Sequence, residues 1–279
     1  MPAHVEAGHL EVEPDQAASV GLPGRFGPAV GGGLGGLGGG HGGTLDGWCP
    51  GRRTARPCTA VGGWITVPRV RRSVSLTGPR VELRGLRADD WEQWRAVRTR
   101  SRHWLERWEP RAEPGSPDPV ARRDAFVARC GSWERQRAFD TAYGFGIFLR
   151  GGELVGEVGL GTVLRGPFQS AYVGYWVDEA HAGNGYVPEA VVLTLRYAFE
   201  ELSLHRIEAV IVPRNARSRR VVDKLGLRAE GIAERFLQIQ GVWEDHLRYA
   251  ITADEWAARR RGLERAFLGR RLTAVEGAR

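Results

Sequence analysis

Lysine is almost absent from this chain of 279 residues: Lys224 is the only one, so nearly all of the 40 basic residues are arginine. A formal charge of +7 would ordinarily suggest a nucleic-acid partner. Set beside the heavy use of Ala and Gly, the missing lysine instead suggests the coding bias of a GC-rich genome. No direct nucleic-acid binding is expected, although an acidic partner or a phosphate-bearing cofactor fits the charge. Cysteine is scarce too. Cys49, Cys58 and Cys130 are odd in number and lack zinc-like spacing, so neither a disulfide framework nor a metal site follows. No stretch approaches the ~20 apolar residues of a membrane helix. The start, "MPAHVEAGHLEVEPDQAASV", has neither the basic beginning nor the apolar segment of a secretory signal. A cytoplasmic protein with no membrane partner is expected. Methionine is missing after Met1, and the expected start of translation is a downstream valine such as Val67, Val70 or Val74. The intact mass of the natively expressed protein tests this.

What is present falls into two regimes. "GRFGPAVGGGLGGLGGGHGGTLDG" is low in complexity, with glycine where a core would need side chains. Residues 1–73 are expected to form a disordered extension, because ordering a glycine-rich chain carries a large entropy penalty. A globular domain is expected over 74–258 and a basic helix and tail over 259–279. "RVELRGL" alternates as a strand, and "RADDWEQWRAVRTRS" opens with acids as a helix N-terminus favours. A second helix is expected from Val120 to Arg137. In "YGFGIFLRGGELVGEVGLGTV", alternation on both sides of Gly151-Gly152 predicts a hairpin.

"AYVGYWV" predicts a further strand. The helix after it has Pro188 near its start, where a missing N–H does no harm, and Val191, Leu195, Ala198 and Leu202 on one face. "RIEAVIV" predicts a buried strand. "RNARSRRVVDKLGL" predicts a short helix capped by Asn215 and ended by Gly226. "RFLQIQGVWEDHLRYAI" predicts two strands joined near Gly241. Thr252 and Glu255 form a capping box for a last helix. The sum is a single α+β domain, with a mixed and mostly antiparallel sheet flanked by helices, not a doubly wound parallel sheet.

The loop "HAGNGYVPEA" decides the functional reading. A Walker loop needs Lys and Ser/Thr after its glycines, and neither is present. A dinucleotide fingerprint needs a third glycine where Pro188 stands, and an acid at the end of the next strand, which reads "VIVPRN". A purely structural turn remains open. The alternative is an anion cradle, in which the N–H groups of Gly183, Asn184, Gly185 and Tyr186 converge on a pyrophosphate at a helix N-terminus.

From about Pro79 to Trp256 the chain resembles the GCN5-related N-acetyltransferases (GNAT), and within them the RimJ/RimL group. Four stretches carry the likeness: "RSRHWLERWEP", "YWVDEAHAGNGYVPEA", "LHRIEAVIVPRNARSRRVVDKLGLRAEG" and "GVWEDHLRYAIT". The resemblance implies direct acetyl transfer from acetyl-CoA, without a metal, to the N-terminal amine of a protein such as a ribosomal protein. A small-molecule amine or antibiotic is the alternative acceptor, and a non-catalytic acetyl-CoA-binding adaptor is the alternative role. One departure is Ala180, which stands where the superfamily usually has Arg or Gln; His181 offers a polar group beside it. Another is Gly226-Leu227, where the usual pair is Gly-Phe.

The resemblance also implies roles for single residues. Acetyl-CoA would lie along Trp176, Val177 and Asp178, with the Val177 N–H facing the thioester oxygen. It would continue past His181, Ala182, Gly183, Asn184, Gly185 and Tyr186, while Asn215 holds the pantetheine arm. Ser218 would donate to the leaving thiolate, unless it is only an exposed residue in the first turn of a capped helix. Some relatives carry a catalytic glutamate on the strand after this helix, but Leu237 stands there. Glu157 and Asp245 remain as candidate bases. The plain alternatives are an outward-facing strand residue for Glu157 and a turn anchor or ammonium partner for Asp245. A proton relayed by water needs neither. Trp104 and Trp108 are candidates to wall the acceptor cleft or to pack the core, and His205 reads as structural.

Overall fold

Alternating burial sets the first strands. The computed structural model describes residues 74–269. The expected extension 1–73, with Cys49, Cys58, Val67 and Val70, and the tail from residue 270 lie outside the described residues. A short β1 (Ser75–Thr77) leads into β2 (Val81–Arg84), where Val81 and Leu83 are buried and Glu82 and Arg84 are half-buried. Two helices follow, α1 (Trp91–Arg100) and a single turn α2 (Arg102–Glu106), and then α3 (Arg123–Ala138). This third element starts later than its expected Val120, because the Asp118 carboxylate holds the Val120 N–H at 2.9 Å in a turn ahead of it.

The expected hairpin is β3 (Tyr143–Leu149) and β4 (Leu154–Leu164), and β5 (Ser170–Val177) extends it. The chain continues through α4 (Tyr186–Arg196), β6 (Arg206–Ile211), α5 (Ala216–Leu225), β7 (Arg228–Ile239), β8 (Val242–Thr252) and α6 (Ala253–Phe267). After α4 the helix widens to a π turn over Tyr197–Glu201, with Leu202 N–H donating to Tyr197 O at 3.1 Å. Such turns insert one extra residue and re-aim the chain beyond them.

The eight strands form one sheet in the order β1-β2-β3-β4-β5-β6-β8-β7, with only β5 and β6 parallel. Both faces are covered over the middle of the sheet, while most of β7 and the first half of β8 stay exposed. Apolar residues of α4, α5 and α6 (Val191, Leu195, Val222, Leu225, Trp256, Leu263) pack on one side. Those of α1, α2 and α3 (Trp94, Val97, Leu105, Phe126) pack on the other. Every residue of α4 from Val187 to Leu195 is buried, mostly apolar residues enclosed by the sheet and its neighbours, with Thr194 bonded back to Ala190 O and Glu189 paired with Arg80. The caps form as the residues predict. Asn215 Oδ1 accepts from Ser218 N–H at 3.1 Å, Gly226 closes α5 in the left-handed region, and Thr252 and Glu255 complete their box.

Candidate active site

The sheet opens at one place. β5 and β6 pair only through Ser170–Arg206, Ala171–Ile207 and Tyr172–Glu208, and beyond Tyr172 they separate. In an antiparallel ladder, partners that exchange both bonds alternate with partners that exchange none. Asp178 N–H donates to Val155 O at 2.8 Å, so Trp176 and Glu157 form a bonded pair while Val177 and Gly156 do not. The main chain of Val173, Tyr175 and Val177 therefore faces the opening, and the Val177 N–H points into it. The side chains of Val173, Tyr175 and Val177 lie on the α4 face, and that of Trp176 lies on the α1 face.

The loop after β5 is held from both ends. Its front post is Asp178, wholly buried. Its carboxylate accepts from Arg100 Nη2 at 2.5 Å and Ser101 Oγ at 2.6 Å, and lies 2.9 Å from His181 Nδ1. Burial pushes this carboxyl up, but the bonds from Arg100, Ser101 and His181 outweigh it and hold it at about 2. Asp178 and His181 thus bind the loop to the α1–α2 junction, and the Asp178 carboxylate is fully engaged there. Gly183 and Gly185 take φ of 82° and 79°, a region that side-chain-bearing residues enter only with strain.

The rear post is Arg80, which carries no sequence motif. Its Nη1 and Nη2 donate to Asn184 O and Gly185 O at 2.8 and 2.9 Å, and its Nε donates to Glu189 Oε2 at 2.7 Å. Glu189, fully buried in the first turn of α4, also accepts from the Arg80 and Val81 N–H groups at 2.8 and 3.1 Å. In a trans peptide the N–H points opposite to the C=O. Turning the Asn184 and Gly185 carbonyls toward Arg80 therefore sends the N–H groups of Gly185 and Tyr186 the other way. Among the described residues, the N–H groups of Gly183, Asn184, Gly185 and Tyr186 have no acceptor. Unpaired N–H groups at the positive end of α4 are the arrangement that accepts an anion.

Ser218 lies across the opening, on α5, and is fully buried rather than exposed. Its Oγ is 3.0 Å from the Tyr175 hydroxyl, which also donates to Ser218 O at 3.2 Å. Tyr175 thus ties the open edge of β5 to the first turn of α5, where Asn215 is the cap. Burial raises the Tyr175 hydroxyl well above the ordinary tyrosine value, so it remains a donor. Val177, the 183–186 loop, Ser218 and Asn215 are in this way gathered by the β5–β6 opening, the loop following directly from β5. Tyr175 gave no signal beyond its place in the strand pattern.

Of the remaining sequence candidates, Glu157 stands opposite Trp176 in the β4–β5 ladder, and Arg217 and Arg214, neighbours of Ser218 and Asn215, lie over the rings of Trp104 and Trp108 at 4.9 and 5.3 Å. Glu157 is 1% exposed on the α1–α3 face of β4, where Trp94 Nε1 donates to one oxygen and Arg129 Nη2 to the other at 2.5 Å. Asp245 is exposed on β8 and accepts from the Arg235 N–H at 2.8 Å, steadying a bulge in β7. Trp104 and Trp108 are both buried, but α2 ends at Glu106, so they do not share one helix. Trp104 packs with the α1–α3 core, and Trp108 with Val212 and Ile239. Leu237 packs beside this last group. The exposed His205 contributes main-chain bonds at the start of β6. Among the described residues, no group of three His, Cys, Asp or Glu could hold a metal, and no helix is long and apolar enough to cross a membrane.

The chain matches a known family and several known proteins. Residues 80–228 match the acetyltransferase (GNAT) domain family. The Bacillus subtilis protein named "Probable N-acetyltransferase YjcK" is 39% identical over 183 residues, which cover 63% of this chain and 96% of that protein. The [ribosomal protein uS5]-alanine N-acetyltransferase of Escherichia coli is 32% identical over 193 residues, covering 68% of this chain and 94% of that one. Among solved structures, Mycobacterium smegmatis RimJ in complex with CoA-disulfide superimposes with a TM-score of 0.59. It is 33% identical and covers 68% of this chain and 94% of that chain.

Proposed function

Since this chain belongs to the GNAT acetyltransferase family and is an N-acetyltransferase, we propose that it moves the acetyl group of acetyl-CoA to the N-terminal α-amine of a protein, and that a ribosomal protein is the acceptor. The observation that carries the reaction is the unpaired edge of β5, which ends at the Val177 N–H and leads directly into the free N–H groups of the α4 loop. The acceptor class follows from the likeness to the uS5-alanine enzyme along nearly its whole length. Ribosomal acceptors and acetyl-CoA together put this work in the cytoplasm.

Acetyl-CoA supplies the acetyl group as a thioester. The loop residues 183–186 would hold its pyrophosphate through main-chain N–H groups, and the open edge of β5 would hold the pantetheine amides much as a sheet accepts another strand. The Val177 N–H would lie against the thioester oxygen, where negative charge grows as the amine nitrogen attacks the carbonyl carbon. As the C–S bond breaks, its electron pair leaves on sulfur, and the Ser218 hydroxyl, fixed by Tyr175, donates to it. The incoming α-ammonium has a pKa of ~8 and sheds its proton before attack. Both oxygens of Glu157 are already engaged, and Asp245 is bonded to the β7 bulge, so the proton leaves through water and these two acids act structurally.

Thiol release from acetyl-CoA, measured with peptides beginning in Ala or Ser, tests the reading. Turnover with such peptides, and a one-acetyl mass gain on a ribosomal protein, are expected. Turnover only with polyamines or aminoglycosides would make this a small-amine enzyme. Tight acetyl-CoA binding without turnover on any amine would make it an adaptor.

A further inference from the structure

On the sheet face away from α4, a cavity of about 260 Å³ lies between α3, β2 and β3. Leu86 and Trp133 give it apolar walls, and Arg137 lies in its lining at 4% exposure. Two other arginines of the lining are paired with acids: Arg84 with Asp90 at 2.7 Å and Arg129 with Glu157 at 2.5 Å. Arg137 is not. Its Nη2 donates to Gly144 O at 2.8 Å, and its buried Nε has no acceptor among the described residues. Burial lowers its pKa, yet a guanidinium keeps its proton inside proteins. A buried charge without a counter-charge is unfavourable by several kcal/mol or so unless something supplies one.

We propose that this cavity binds a small organic monocarboxylate, its carboxylate on Arg137 and its apolar body against Trp133 and Leu86. The cavity is distinct from the acetyl-CoA opening, which uses the main chain of β5 and α4. The other acids of the lining set the charge of the ligand. Glu82 is half-buried and takes a bond from Ser75 Oγ, and Glu134 is exposed on α3. Arg87, the remaining and exposed arginine of the lining, offsets one of these two charges, and the one left over admits a single compensating carboxylate at Arg137 and opposes an anion carrying more.

The test uses the full chain with acetyl-CoA present, at constant ionic strength. Sodium benzoate is titrated calorimetrically beside benzamide, its neutral isostere, and inorganic phosphate. Saturable heat is expected with benzoate and not with the other two, and Arg137→Gln is expected to weaken benzoate at least about tenfold. Gly85→Leu is the second variant. A Cβ at Gly85 would sit 3.5 Å from Arg137 Nη1, in ordinary contact, so a leucine there covers the guanidinium without altering charge. It should abolish the benzoate heat while acetyl-CoA affinity stays unchanged. Absence of saturable heat, equal binding of benzamide or phosphate, or benzoate binding untouched by both substitutions overturns the proposal.

Discussion

Arg80 joins four groups that are distant in sequence: the Asn184 and Gly185 carbonyls, the Glu189 carboxylate and, through its ring contact at 5.3 Å, Tyr186. Lysine at this position would keep the charge opposite Glu189 but could not also reach two carbonyls with a planar fork. Arg80→Lys is therefore expected to raise the KM for acetyl-CoA about tenfold or more while kcat changes little, as steady-state kinetics would show. Removing the charge acts on stability instead. Arg80→Met leaves the buried Glu189 without its counter-charge, held only by the main-chain N–H groups of residues 80 and 81, and should lower the unfolding free energy by roughly 3 kcal/mol. The double replacement with Glu189→Met should restore much of that loss. A double variant as unstable as the sum of the singles would show that the pair is not coupled. Ser218 behaves differently, since it donates only as thiolate forms. Ser218→Ala is expected to lower kcat by roughly tenfold to a thousandfold with acetyl-CoA affinity nearly kept, and unchanged kcat would remove it from the mechanism.

The hairpin of β7 and β8 reaches over to the turn after α2. Gln240, at its tip, donates from Nε2 to Glu106 O and Glu109 O at 2.8 and 3.1 Å, and from its main chain to Glu109 O at 3.3 Å. Trp108 packs beneath this bridge on Val212 and Ile239. Gln240→Ala should loosen the bridge by about 1–2 kcal/mol. It should raise the KM for the acceptor peptide while leaving acetyl-CoA binding alone; equal shifts in both would mean that the bridge only stabilises the fold. Local patterns made much of this architecture legible in advance. The start of α4 near Pro188, the Asn215 and Gly226 caps, the Thr252 box and the Gly151-Gly152 turn each sit within a few residues of what they determine, whereas the single apolar face expected from Val191 to Leu202 gives way to a helix buried all round and a π turn after Arg196. The short β1 and α2 offer too few residues for any period. Long-range features left no local mark either. The Arg80–Glu189 pair spans 109 residues, and the Gln240 bridge spans 134 and 131. Asp178, read as a neighbour of the cofactor, is held by Arg100 and Ser101, residues that look like any helix end. Glu157 looks like a charge stranded in "LVGEVGLG" until Trp94 and Arg129 fold over it.

For the whole molecule, the arginines that dominate its charge tie stability to acid. Burial pushes the carboxyls of Asp90, Asp140, Asp178 and Glu208 up, yet bonds from Arg84, Arg165, Arg100, and Arg206 with Arg248, carry each below its ordinary value. A carboxyl depressed in the folded state gives its full stabilisation above the unfolded pKa and loses it as pH falls through the folded one. For Asp178 that window runs from 3.8 down to about 2. His246 adds an earlier loss of the same direction. Burial lowers its pKa below 6.5, so the unfolded chain takes up that proton first and stability declines once pH drops past this value. The expected profile is flat near neutrality, shallow below 6.5 and steep below about 4. Urea unfolding at about pH 7, 5 and 3 would trace it. Asp178→Asn should lower the neutral stability by on the order of 2 kcal/mol and flatten the acid limb, and His246→Phe should remove only the shallow part. An acid limb of unchanged slope in Asp178→Asn would mean that the Arg100–Ser101–His181 cluster does not hold this carboxylate, and with it the front post of the loop.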